Sequence, residues 1–111
     1  MKNMIIAALL ASSLGSTAVA DELTHEGCTG LSSLANTIMT ARQTGVSMSK
    51  LMNADFVKGS DEEVREVYEF MIITAYEQTR WNSERGQQRA IRDFENDLHL
   101  GCVQQLRAEA N

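Results

Sequence analysis

From Cys28 onward, apolar side chains recur every three or four residues, the period of a helix with one buried face. Proline is absent from the chain, so the strongest helix breaker never interrupts that pattern. The first stretch runs from about Thr29 to Thr44. Leu31, Leu34, Ala35, Ile38 and Ala41 form its stripe, Met39 lies on the flank, and Gly45 stands where a helix ends in a left-handed residue. A second, short helix is expected from Ser47 to about Ala54, with Ser47 as its cap and Met48, Leu51 and Met52 turned inward. The third begins at Ser60-Asp61-Glu62-Glu63, which fits a capping box and puts acids in the first turn, where the helix dipole favours them. Val64, Val67, Tyr68, Met71, Ala75 and Tyr76 follow at helical spacing. Phe70, Ile72 and Ile73 widen the apolar surface far beyond one stripe, which predicts a central helix with neighbours on several sides. The fourth runs from Asn82 or Ser83 to about Glu109, with Ile91, Phe94, Leu98, Cys102 and Leu106 on one face. Gly86 and Gly101 weaken it by about 1 kcal/mol each relative to Ala. The pattern predicts an all-α fold, a small four-helix domain.

The first twenty residues break from this pattern. Lys2 gives a short positive start, Met4 to Leu10 are apolar, Ser12 to Thr17 are small or polar, and Ala18-Val19-Ala20 fits an A-x-A cleavage site. That is the layout of a secretory signal peptide. Residues 1–20 are therefore expected to be removed near Ala20, leaving 21–111 as a single helical domain in the periplasm or outside the cell. Of 111 residues, 91 remain, with 9 Lys+Arg against 15 Asp+Glu, a formal net charge of −6. Such a surface repels phosphate backbones and anionic lipid headgroups, which argues against nucleic acid or a membrane surface as partner. No later segment approaches the roughly 20 apolar residues that span a bilayer. No Cys directly follows the cleavage site to take a lipid anchor.

Export changes the meaning of the two cysteines. Cys28 and Cys102 stand near opposite ends of the mature chain, and an oxidising compartment favours pairing them. The closed loop of about 75 residues would contribute roughly 4–5 kcal/mol on the chain-entropy model. A rival arrangement is a metal site. His25-Glu26-Gly27-Cys28 and His99-Leu100-Gly101-Cys102 repeat one spacing and use the only two histidines, so His25, Cys28, His99 and Cys102 offer the two nitrogens and two sulfurs of a tetrahedral zinc site.

Other chemistry is sparse. Ser47-Met48-Ser49-Lys50 has the S-x-x-K form of serine acyl-enzymes, but the partner motifs S-D-N and K-T-G are absent, and capping explains Ser47 better. G-x-S-x-G, H-E-x-x-H and phosphate-cradling glycine loops do not occur. Met48 and Met52 stand one helical turn apart, as in copper-carrying thioether clusters, although core filling is the commoner use of Met. Glu62, Glu66 and Glu69 along the third helix and Arg85, Arg89 and Arg92 along the fourth would face each other if the two are antiparallel neighbours, at about 0–1 kcal/mol per exposed pair. Tyr76, Glu77, Arg80 and Trp81 form the best candidate partner surface, because Trp, Tyr and Arg are enriched at interface hot spots. The same aromatics would also serve to plug the end of a bundle.

Cys28-x2-Leu31-x2-Leu34-Ala35, Ile38-Met39-x-Ala41-Arg42-Gln43-x-Gly45, Ala75-Tyr76-Glu77-x2-Arg80, Gln88-x-Ala90-Ile91-x2-Phe94 and Cys102 together resemble a group of small exported helical proteins of Gram-negative bacteria and their phages. No activity is established for that group, so the resemblance supplies no catalytic residues. In architecture alone the chain also resembles HdeA-type periplasmic acid-stress chaperones, which are small, helical and closed by one disulfide. The expectation is a non-enzymatic protein without a cofactor that binds another envelope protein as inhibitor, immunity factor or accessory subunit. The alternatives are an acid-responsive chaperone and a metal carrier.

Overall fold

The computed structural model describes residues 24–110, all of whose regular elements are α-helices. In chain order these are α1 (His25–Thr44), α2 (Met48–Met52), α3 (Asp55–Lys58), α4 (Glu62–Tyr76) and α5 (Glu84–Ala110). The expected leader, residues 1–20, lies outside the described residues, as does its cleavage position. The all-α, disulfide-closed architecture matches the sequence pattern. The short second helix keeps its place, and a further single turn, α3, follows it.

α1 begins one turn earlier than the apolar stripe implies. Thr24 is its cap, with extended backbone, and its hydroxyl accepts the Gly27 N–H at 2.9 Å. The helix ends at Gly45, whose φ of 95° is left-handed. Gly45 N–H donates to the Arg42 carbonyl and Val46 N–H to the Ala41 carbonyl, the two bonds of a Schellman motif. Ser47 caps α2 as expected, accepting the Lys50 N–H at 3.1 Å. The capping box does not form. Asp61 occupies the cap position of α4, while the Ser60 hydroxyl turns back to donate to the Phe56 carbonyl at 2.7 Å and closes α3 instead.

α4 has α1, α2 and α3 as neighbours, in line with its wide apolar surface, and α1 joins it to α5. α1 packs along α5 over most of its length and carries α4 on another side, whereas α4 and α5 make almost no direct contact. Two polar or covalent links mark the antiparallel register of α1 and α5. The Cys28–Cys102 disulfide joins them with a Cα–Cα distance of 5.6 Å, and Asn36 Nδ2 donates to Glu95 Oε1 at 3.0 Å. Ala35, Ile38 and Met39 of α1 meet Val57 of α3, Met71, Ile72 and Ala75 of α4, and Ile91 and Phe94 of α5 in one core. Because α1 intervenes, the acidic side of α4 and the basic side of α5 do not form the shared charged seam that antiparallel neighbours would have made.

With α1 in the middle, α4 has more apolar surface than it can bury. Met71, Ile72 and Ala75 face the core, but Val67, Phe70 and Ile73 remain on the outside.

Candidate functional site

The residues after α4 make a polar fastening to the end of α1. Gln43 sits in the last turn of α1 with only 1% of its surface exposed. Its Nε2 donates to the Thr79 carbonyl at 2.9 Å, and its Oε1 accepts the Trp81 backbone N–H at 2.8 Å. Next to it, Arg42 donates from Nη2 to the Gln78 carbonyl at 2.9 Å. Arg42 also holds its guanidinium carbon 5.2 Å from the centre of the Tyr76 ring, a cation–π contact. The connection from α4 to α5 is thereby tied to α1 at three backbone groups, the Gln78 and Thr79 carbonyls and the Trp81 amide, which satisfies backbone that no helix provides for.

Glu77, Arg80 and Trp81 are exposed, and Tyr76 is partly buried. The Tyr76 hydroxyl donates to the Val46 carbonyl at 2.6 Å, and burial raises its phenol above the ordinary value, against a smaller opposing pull from Arg42. Arg80 donates from Nε to the Gln43 carbonyl at 3.3 Å. Both side chains help to hold the connection, Arg80 while remaining exposed. Glu77 is exposed on the far side of α4's last turn, and the Trp81 side chain remains 49% exposed.

Trp81 rests on α5 at Gly86, where an added Cβ would stand 2.9 Å from Trp81 Cβ. Beside it lies a cavity of about 220 Å³. Buried Met39 and Phe94 line it together with exposed Trp81, Arg89, Asp93 and Asp97. It is smaller than the roughly 300–1,000 Å³ of ordinary small-molecule pockets, and its walls carry charges of both signs.

The other sequence candidates find mainly structural uses. Cys28 and Cys102 are bonded to each other, so their sulfurs are not thiolate ligands in this form of the protein. His25 lies exposed in the first turn of α1, and His99 is partly exposed on α5. No group of three or more His, Cys, Asp or Glu side chains comes together as a metal site among the described residues. Ser47 Oγ is engaged with the Lys50 backbone, and Lys50 itself is exposed. Met48 and Met52 are partly buried against the core.

No family model, curated protein or solved structure matches the chain.

Among the described residues, one apolar stripe of helical spacing lies on the surface. Val67, Phe70 and Ile73 recur every three residues along the outer face of α4 and are 44%, 62% and 42% exposed. Isolated exposed apolar residues are ordinary, but three in a row on one helix face are not. Exposed Glu62, Glu63, Glu66 and Glu77 surround them. The wide apolar surface of this helix is covered by α1, α2 and α3 on its inner side and left open at this stripe. No described helix is long and apolar enough to cross a membrane, so a bilayer does not account for the stripe through a spanning helix.

Proposed function

We propose that this chain is an exported, non-enzymatic binding protein that docks another envelope protein on the outer face of α4. The observation that carries this reading is the uncovered stripe Val67, Phe70 and Ile73. Tyr76 and Arg80 help to fasten the connection between α4 and α5, whereas Val67, Phe70 and Ile73 lie outside the core among the described residues. An apolar helix face rimmed by charge is the ordinary anatomy of a protein-binding patch, with an apolar centre and a polar rim. Inhibitor, immunity factor and accessory subunit all remain compatible with it.

Capture from a periplasmic extract tests the reading. Wild type and Phe70→Glu are immobilised in parallel, both checked for helical content. A protein retained by wild type and lost with Phe70→Glu supports α4 as the docking face. The same set of proteins recovered by both refutes it.

A second reading draws on the same residues. An exposed apolar stripe is also the surface with which an acid-responsive chaperone would hold an unfolding client. Light scattering of an aggregating client at low pH decides between them. Suppression that depends on Phe70 favours the chaperone, and no suppression rejects it.

A further inference from the structure

We infer that the partner of α4 is a basic amphipathic helix, one whose apolar face is flanked by Lys or Arg. This inference rests on the docking reading above and adds the chemistry of the occupant.

Helix geometry sets the arrangement. Residues seven apart lie on nearly the same line of a helix, and residues three or four apart are neighbours on one face. Phe70 is the most exposed of the three apolar residues, and it stands at the centre of the outer face. Glu63 lies seven residues before it and Glu77 seven after, with Glu77 still in helical conformation at the end of α4. Glu66 and Glu62 border the same face, and all four acids are exposed. The one basic residue of α4, Arg65, does not offset them. Its Nη2 reaches back to the Ser60 carbonyl at 3.5 Å, and it lies at the helix's inner edge with only partial exposure. The outer face is therefore an apolar strip in an anionic frame.

This frame discriminates between occupants. A second copy of the chain laid on α4 would bring the same four acids against their counterparts, and like charges across an interface oppose association. An anionic lipid surface is repelled in the same way. An acidic partner helix meets the same penalty. A helix with Lys or Arg beside its own apolar stripe gains attraction along the side that Glu62 and Glu66 border and at the Glu63 and Glu77 ends, while its apolar side chains cover Val67, Phe70 and Ile73.

The test uses the oxidised chain, purified after expression from its full sequence. It is titrated with a panel of labelled helical peptides of about 20 residues, long enough to hold helix in water. The panel varies the spacing of the apolar stripe and carries either Lys or Glu at the flanking positions. Binding is read by fluorescence anisotropy, and the self-association of the chain by sedimentation. The expected result is binding by at least one Lys-flanked peptide, weakened about tenfold or more by its Glu-flanked counterpart and by raised salt. Phe70→Ala should abolish that binding, and the double change Glu63→Gln with Glu66→Gln should weaken it about tenfold while leaving α4 folded. Equal binding of Lys- and Glu-flanked peptides overturns the inference and leaves the docking reading intact. No binding by any Lys-flanked peptide, or binding indifferent to Phe70, also overturns it. A dimer that dissociates on Phe70→Glu would assign the face to a second copy instead. The docking reading fails separately, through extract capture unaffected by Phe70→Glu.

Discussion

The Oε1 of Gln43 accepts the Trp81 backbone N–H at 2.8 Å, joining the last turn of α1 to the segment that leads into α5. Gln43 is buried, and its amide also holds the Thr79 carbonyl. Gln43→Leu keeps the bulk and removes both bonds. Leaving such groups without partners costs about 1–3 kcal/mol each, so a loss of about 2–4 kcal/mol is expected in urea denaturation. Trp81 is the one tryptophan, so its fluorescence should shift to the red in the folded variant as the segment loosens.

Three glycines separate packing from propensity. At Gly101 and Gly30 an added Cβ would meet nothing within 4 Å. Gly101→Ala and Gly30→Ala should therefore each stabilise by about 0.5–1 kcal/mol, the helix-propensity difference. At Gly86 the Cβ would lie 2.9 Å from Trp81 Cβ and 3.0 Å from Ser83 Oγ. Gly86→Ala should cancel its propensity gain and lose about 1–2 kcal/mol, with a change in Trp81 fluorescence. Thermal unfolding of the three variants checks the contrast.

Tyr76 supplies a pH dependence with a definite sign. Burial raises its phenol above the ordinary value near 10, so the folded state holds the proton more tightly than the unfolded chain. The resulting stability is complete below about pH 10 and declines as pH rises through the folded value. Tyr76→Phe should lose about 1 kcal/mol at neutral pH, the worth of the bond to the Val46 carbonyl, and should lack that part of the alkaline decline. Denaturation midpoints measured from neutral to alkaline pH compare the two chains.

The disulfide spans 74 positions of sequence and closes the end of the α1–α5 pair remote from Gln43. Cys28→Ser with Cys102→Ser should lower stability by about 4–5 kcal/mol. Because Asn36–Glu95 and the shared apolar core still specify the antiparallel register, what folded protein remains should keep the helical circular dichroism of the parent.

Sequence was most informative where chemistry is local. The left-handed Gly45, the Ser47 cap and the cysteines on inward helical faces each depend on a few neighbouring residues. Thr24 as the cap of α1 was overlooked because the apolar stripe begins a turn later, and a cap precedes packing. Ser60 met the sequence rule for a capping box, yet its hydroxyl found the Phe56 carbonyl behind it rather than the amides ahead. The place of each helix in the assembly was less accessible. Apolar periodicity shows how wide a face is but not what covers it: α4 takes α1, α2 and α3 as neighbours and still leaves Val67, Phe70 and Ile73 exposed, while α1 stands between it and α5. Gln43 carried no signal at all, since a polar residue becomes a buried clamp only when a distant backbone arrives beside it. Tyr76 and Arg80 had the composition of a binding surface, and the fold used them for that same backbone.

The account turns on whether the outer face of α4 is free of the fold. Urea denaturation of Phe70→Ala, measured beside Ile72→Ala, tests this most directly. Only Met71 separates the positions, but Ile72 is fully buried and Phe70 is mostly exposed. Ile72→Ala should cost about 2–5 kcal/mol, as for a core side chain, and Phe70→Ala no more than about 0.5 kcal/mol. A loss of about 2 kcal/mol or more at Phe70 would mean that the stripe is part of the core, and the docking face would not exist.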